Sequence, residues 1–527
     1  MLITEILSRN ARTYGSEIAL IEREPALNRR VVITWQEFDD QANRVAQALI
    51  QKGIKKGDRV VQLMMNCIEW LPIYFGILRT GALVVPLNFR FEAKTIKRCT
   101  LTAGAKAIVF GEEFVERLDE ISAELDGCLE TFVFAGPEEK RPVYAESCAE
   151  LMSQCSAENP LIHISIMDDA ALYFTSGTTG TPKATLLTHR NLEFACYAEN
   201  QHHQQTHADN FLCLPPLYHT GAKMHWFGNF IVGAKAVILK GIDPVWIMEA
   251  ISEEKVTVVW LLVPWALDIL FAIENDDLKL KDYHLDQWRL MHIGAQPVPP
   301  SLIKEWMKYF PSHQYDTNYG LTESSGPGCV HLGMENMHKV GAIGVPGFDW
   351  EARIVNADGN PVPQGDTGEL AVRGPGVMKS YYGNPAATRE VMVDGWLLTG
   401  DIARQDEDGF FWLVDRKKDV IITGGENIYP VEIEDYLQTH PAIQDVAVIG
   451  LHSLRLGEVA AAVIQTKPGQ SVTKNEIDEF CRVLPRYKRP RKVIFGQVPR
   501  NPTGKIEKPQ LREFYAGSAK SFETYSE

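Results

Sequence analysis

The stretch from Ala170 to Lys183 leaves this chain few ways to fold. Ala170-Ala-Leu-Tyr-Phe174 is apolar and reads as the end of a strand, and Pro182 keeps that strand from running on. Between them come Gly177, Gly180 and five hydroxyl residues (Thr175, Ser176, Thr178, Thr179 and Thr181), followed by one cation, Lys183. Glycines let a backbone turn tightly and bring its N–H groups against an anion; hydroxyls add donors and the lysine adds a point charge. Loops of Ser, Thr and Gly are more often solvated turns. The density of donors here, straight after a strand, points instead to a phosphate grip, although the spacing is not GxxxxGK[ST].

At 527 residues the chain has room for more than one domain and for large cores. A formal charge of −15 argues against nucleic acid or an anionic membrane as a main partner. Nine cysteines are scattered without a CxxC pair, neither a zinc pattern nor a disulfide framework, and this suits a reducing cytoplasm. Met1 to Asn10 lacks the basic and apolar regions of a signal peptide, and no apolar run nears the ~20 residues of a membrane span.

Up to about residue 165, helices and short strands alternate as in an α/β scaffold. Apolar residues at Phe38, Ala42, Val45, Ala46 and Leu49 predict a helix from Trp35 to Lys52, ended by Gly53. Arg59–Met65 and Ala82–Leu87 read as strands, with a helix over Trp70–Thr80 between them. Further on, Val256–Val263 is β-branched and reads as a buried strand; Trp260 and Trp265 near its end either shape a pocket or pack the core. After Leu214-Pro-Pro-Leu-Tyr-His-Thr-Gly221, a helix would put His219, Lys223, Trp226 and Phe230 on one face. A lone His in such a place is usually a core or cap residue, and Lys223 could simply lie on the outer face.

Four later segments carry acidic or basic side chains on turns: Asp316-Thr-Asn-Tyr-Gly-Leu-Thr-Glu-Ser324, Asp394-Gly-Trp-Leu-Leu-Thr-Gly-Asp401, Val414-Asp-Arg-Lys-Lys-Asp419 and Val498-Pro-Arg-Asn-Pro-Thr-Gly-Lys505. The first comes about 140 residues after the phosphate loop. With that loop and with Gly424-Gly-Glu-Asn-Ile-Tyr-Pro430, these segments resemble, in order, the motifs of the adenylate-forming superfamily. That family includes acyl- and aryl-CoA synthetases, peptide-synthetase adenylation domains and firefly-type luciferases. The resemblance runs from about residue 5 to 512. Ala184, where the family usually has glycine, and Gln296, where it usually has a small residue, are departures.

The resemblance implies an α/β fold: a large N-terminal domain (1–415) of mixed sheets layered with helices, a hinge at 416–418 with Lys418 at the pivot, and a smaller mobile α+β domain (419–527). It implies that ATP is held by Thr175, Ser176, Gly177, Thr178, Thr179, Gly180 and Lys183. Further contacts would come from the turn Gly294, Ala295 and Gln296 against adenine, from Asp316, Asn318, Tyr319, Gly320 and Thr322, from Asp401 and Arg416 at the ribose, and from Lys505. Glu323 would bind Mg²⁺, a hard cation that one carboxylate and phosphate oxygens can hold. Lys505, His219, Thr322 and Glu323 would be catalytic. The acid pocket would be lined by His219, Lys223, Trp226, Gly294 and Gly320, and coenzyme A would pass Gly424, Gly425 and Glu426. The basic residues Arg486, Lys488, Arg489, Arg491 and Lys492 would either steer its phosphates or form a plain surface patch.

Residues 217–230 contain no Asp or Glu, which disfavours a site for amino acids, whose ammonium needs a carboxylate partner. Lys223 and His225 would instead meet a polar or anionic end of the acid. The reading is therefore a carboxylate–CoA ligase for aromatic, alicyclic or short-to-medium aliphatic acids. Loading of a carrier protein, a luciferase-like oxygenase and a non-catalytic binding protein are the competitors. Oligomeric state is not legible.

Overall fold

The computed structural model describes residues 1–175, 182–294, 298–423, 426–453, 455–500 and 505–516. Two large sheets carry most of the first 350 residues. One is nine-stranded, and its centre is the parallel run Lys235–Leu239, Asn210–Cys213, Val258–Leu262, Leu290–Gly294 and Gln314–Leu321. The other is eight-stranded and parallel from Leu83–Pro86 through Arg59–Leu63 and Ala107–Phe110 to Thr131–Phe134. Helices cover them, so most of the parallel strands are apolar, and exceptions such as His292 on Leu290–Gly294 and Asp316 and Thr317 on Gln314–Leu321 bring polar side chains into the interior.

The helices start where local chemistry allows. Thr34 caps Trp35–Gln51, its hydroxyl accepting from the Glu37 N–H while the Glu37 carboxylate reaches back. Phe38 and Phe75, from the helices Trp35–Gln51 and Trp70–Arg79, meet edge-on with ring centroids 5.4 Å apart. Trp226 and Phe230 of Thr220–Ile231 pack onto the same cluster. This aromatic knot joins the two sheets and fixes the helix that borders the cleft between them.

Next along the chain is a five-stranded antiparallel sheet, built on Thr367–Arg373 and Trp396–Gln405, with Phe411–Arg416 paired to the latter. From Ile421 on, a second five-stranded sheet forms around the long hairpin Ile443–Ser453 and Gly457–Thr466. Its buried apolar side chains, among them Ile421, Ile433, Leu437, Val446 and Ile477, pack with one another. At the junction, the Asp415 carboxylate accepts from the Val431 N–H (3.0 Å), near the start of the helix Pro430–Gln438, and Arg512 pairs with Asp419 at 2.7 Å. The expected elements are present with ends trimmed by one or two residues.

Candidate active site

The chain leaves the strand Asp169–Thr175 and returns antiparallel as Lys183–Thr188, so that Thr175 stands directly opposite Lys183. Lys183 thus sits at the rim of the loop that joins the pair. Its Nζ lies 4.9 Å from the centre of the Tyr381 ring. The Tyr381 hydroxyl in turn donates to Glu323 Oε1 at 2.8 Å. Tyr381 reaches this position because Ser380–Tyr381 adds an edge to the same sheet, with Tyr381 opposite Thr185. Sequence reasoning missed this tyrosine; only its spacing from the phosphate loop in three dimensions reveals it. Ser176, Gly177, Thr178, Thr179 and Gly180 lie outside the described residues, as do Ala295, Gln296, Gly424 and Gly425.

Asp401 and Arg416 face each other across two antiparallel strands. Arg416 Nε meets Asp401 Oδ1 at 2.5 Å, and the Tyr319 hydroxyl donates to Oδ2. Asp401 is only 3% exposed. Burial raises its proton affinity, opposed by Arg416, by the tyrosine hydroxyl and by Lys505. The backbone beyond is tied as well: Lys417 N–H donates to the Gly400 carbonyl (2.9 Å), and Lys417 Nζ meets Glu369 at 2.9 Å.

Lys505 comes to this same corner from the end of the chain. Its side chain is open to the cleft yet deep among protein atoms, so desolvation is its first perturbation. Burial and Arg416 lower its pKa to about 8, while Asp401 and Glu323 pull it upward. His219, partly open to the same cleft, is pushed down to about 3 by burial, by Lys505 and by Lys223, so its ring is neutral. Thr322 and Glu323 begin a 3-10 turn, Thr322–Ser324, directly after the strand that carries Asn318, Tyr319 and Gly320. Lys418 is exposed two residues beyond Arg416. Glu426 is exposed on the strand Glu426–Ile428.

Three expected contacts are corrected. Lys223 is fully buried and does not face the acid. Its ammonium donates to the carbonyls of Leu217 and His219, the latter at 3.1 Å, inside a cage of Trp70, Tyr74 and Tyr173 whose ring centres lie 4.8–5.3 Å away. A cation buried this way is held by ring quadrupoles and carbonyl dipoles. Trp226, 1% exposed, belongs to the aromatic knot beneath the helix and not to a pocket wall. Asp316, also 1% exposed, does not reach a nucleotide either. Its Oδ2 accepts from His203 Nε2 and from His292 Nδ1, the second at 2.5 Å. Burial disfavours its charge, but the two imidazoles hold its pKa far below the usual range.

That carboxylate anchors a chain of buried rings. His203 Nδ1 lies 3.2 Å from Glu199, whose pKa burial pushes up to about 8. On the other side, His292 Nε2 meets His225 Nε2 at 2.6 Å, and His225 Nδ1 meets the Gly221 carbonyl at 2.6 Å. His225 lies flat on Trp260, centroids 4.2 Å apart and planes 7° off parallel. Asn318, partly exposed, touches His225 Nε2 through Nδ2 at 3.3 Å.

The geometry gathers Lys505, Arg416, Asp401 and Glu323 at one corner, with Lys183 joined to Glu323 through the Tyr381 ring. Comparison with known proteins agrees. Residues 7–382 match the AMP-binding enzyme family and residues 432–505 its C-terminal domain. The chain is 32% identical over 498 residues to the long-chain-fatty-acid–CoA ligase FadD13 of Mycobacterium tuberculosis, covering 94% of this chain and 95% of that one. It is 33% identical over 484 residues to a feruloyl-CoA synthase of Amycolatopsis, covering 91% and 93%. The o-succinylbenzoate CoA synthetase MenE of Bacillus subtilis, solved with ATP and magnesium, superposes with a TM-score of 0.82 at 26% identity, covering 96% of this chain and 98% of that one. On the order of its motifs, the pairing at its cleft and matches along nearly its whole length, the chain belongs to the AMP-binding enzyme family.

Proposed function

We propose that the protein is an ATP-dependent carboxylate–CoA ligase, forming an acyl-adenylate with release of pyrophosphate and then a thioester with release of AMP. The observation that carries this reading is the meeting of Lys505 with Asp401, Arg416 and Glu323 at one cleft.

The chemistry needs little besides positioning and charge. A carboxylate oxygen attacks the α-phosphorus of ATP, and the bond to the pyrophosphate oxygen breaks in line. Two anions must approach each other, and the Lys505 ammonium stands between them to reduce their repulsion. Asp401 accepts from the ribose hydroxyls and Arg416 keeps it oriented, with Tyr319 and Gly294 beside the base. Thr322 donates to the α-phosphate, while Lys183 and the glycine-rich loop bind the departing phosphates. Glu323 fits a hard cation, because Tyr381 engages one oxygen and leaves the other as a ligand beside phosphate oxygens. Mg²⁺ bound there would offset charge on the leaving pyrophosphate. In the second step the CoA sulfur attacks the acyl carbon and the carbon–oxygen bond to AMP breaks. A turn at Lys418 would withdraw Lys505 and bring the Gly424–Glu426 segment to the cleft, a hinge motion of a known kind.

A panel of carboxylic acids, assayed for AMP release with ATP, Mg²⁺ and CoA, tests the reading. At least one acid gives AMP release that rises on adding CoA. Release indifferent to CoA would favour a carrier-protein route, and uptake of O₂ an oxygenase. The lowered pKa of Lys505 adds an expectation. Its cation is the working form, so kcat/KM for pyrophosphate release falls as pH rises through about 8. A flat profile to pH 9.5 would show that the ammonium is not needed.

A further inference from the structure

The ring chain behind the cleft has a proton count that the adenylation chemistry does not use. A carbonyl and a carboxylate only accept hydrogen bonds. His225 Nδ1, at 2.6 Å from the Gly221 oxygen, must therefore carry a proton, and so must His292 Nδ1 at 2.5 Å from Asp316. Their Nε2 atoms meet at 2.6 Å. Burial lowers the proton affinity of both rings. Burial opposes charge on the third ring, His203, as well, but Asp316 and Glu199 raise its proton affinity, so the positive charge that faces Asp316 lies there.

The hydrogen-bonded pair of His225 and His292 lies where an acid chain would end. His219 precedes the helix Thr220–Ile231 and feels Lys505, at the reacting end of the cleft. Gly221 and His225 come next, one turn apart, and both lean on Trp260, whose ring would be 3.0 Å from a Cβ at Gly221. From His219 to His225 is six residues, about 9 Å of helical rise. His292 lies just behind Gly294, where a Cβ would be 3.8 Å from its Nε2, near the carboxyl ends of the parallel strands. Ligands of such sheets bind outside those ends. Asn318, on the neighbouring strand, is the partly exposed member of the group. Its Nδ2 lies 3.3 Å from His225 Nε2, and an amide that gives one donor inward still has an acceptor and a second donor to offer.

We propose that Asn318, backed by the buried His225 and His292, forms a polar end-stop of the acid pocket, selecting acids with a hydrogen-bonding substituent at the end remote from the reacting carboxylate. Such acids are a hydroxylated or aminated aromatic ring, or a short chain ending in a hydroxyl or amide. Long alkyl chains are excluded, since their passage would strip this group of its bonds. The proposal rests on the carboxylate–CoA ligase reading.

The test compares kcat/KM for CoA-dependent AMP release with matched acids: 4-hydroxybenzoate against benzoate, 6-hydroxyhexanoate against hexanoate, and octadecanoate. In the native protein the substituted member of at least one pair is favoured by ~10-fold, as one buried hydrogen bond supplies. In Asn318→Ala and His225→Phe that ratio falls toward one, with the loss carried by the substituted acid. Using two variants guards against a folding defect in the buried one. Equal or better use of the bare acids or of octadecanoate by the native protein overturns the proposal, as does an unchanged ratio in a folded Asn318→Ala. If bare acids are turned over well, the end-stop fails while the ligase reading stands; if no acid on any panel yields AMP, the ligase reading fails and the end-stop falls with it.

Discussion

Lys505→Ala loses acyl-adenylate formation by about 10²–10³-fold and keeps thioester formation from supplied acyl-adenylate within a few-fold of the native rate. The first figure comes from removing one preorganised donor aimed at developing negative charge, about 2.7–4 kcal/mol. It applies here because Lys505 lies within reach of Asp401, Glu323 and Arg416 in a cleft that already lowers its proton affinity. A group that is costly to keep charged is worth placing there only if an anion arrives to use it. The second half of the expectation rests on the chemistry of the thioester step, in which carbon rather than phosphorus is attacked. Pyrophosphate exchange measures the first half-reaction, and AMP release from synthetic acyl-adenylate with CoA measures the second. Equal loss in both, from a folded variant, would place Lys505 in general scaffolding. Lys505→Arg separates charge from shape: it keeps the cation but loses the pH dependence near 8, because guanidinium does not titrate there.

Asp401→Asn has the second large effect, and a different pattern. The amide keeps the volume but accepts more weakly, and hydrogen bonds to a charged group are worth about 1.5–3 kcal/mol each. With two ribose hydroxyls involved, kcat/KM for ATP drops by about 10²–10⁴. Both half-reactions suffer, since AMP is held through both, and this distinguishes the variant from Lys505→Ala. Two effects on the fold oppose each other. Burial raises the Asp401 pKa above its unfolded value, so ionising it costs folding free energy, a cost that grows as pH rises through the folded pKa. At pH 7 the asparagine removes that cost, and in exchange it leaves the Arg416 guanidinium, whose charge Asp401 supports against burial, without its carboxylate. An ATP affinity unchanged in Asp401→Asn would remove the ribose assignment.

How much of the fold and site is readable from the sequence depends on the distance between partners along the chain. The strand pair around Lys183 is local, Phe174 lying opposite Ala184 and Thr175 opposite Lys183. The capped helix Trp35–Gln51 is local too, written in Thr34 and Glu37. Asp401 and Arg416 are close enough for one hairpin to bring them face to face. Lys223 misleads because its cage comes from Trp70, Tyr74 and Tyr173, far upstream, and helical spacing cannot say which flank of a buried helix meets solvent. Asp316 sits inside a strong motif, yet its partners His203 and His292 arrive from separate elements. Tyr381 gives no signal at all, being one aromatic in a short edge strand.

The tie between Asp401 and Arg416 has a mechanical consequence. Arg416 ends its strand, clasped to Asp401, and Lys417 is fastened at both backbone and side chain to Gly400 and Glu369. If the chain turns at Lys418, as proposed, the torsion would act against a fixed abutment, and the part upstream would stay still while the part downstream rotated. A nucleoside gripped by Asp401 would ride through such a rotation without letting go, so the intermediate need never be released between one partner and the next.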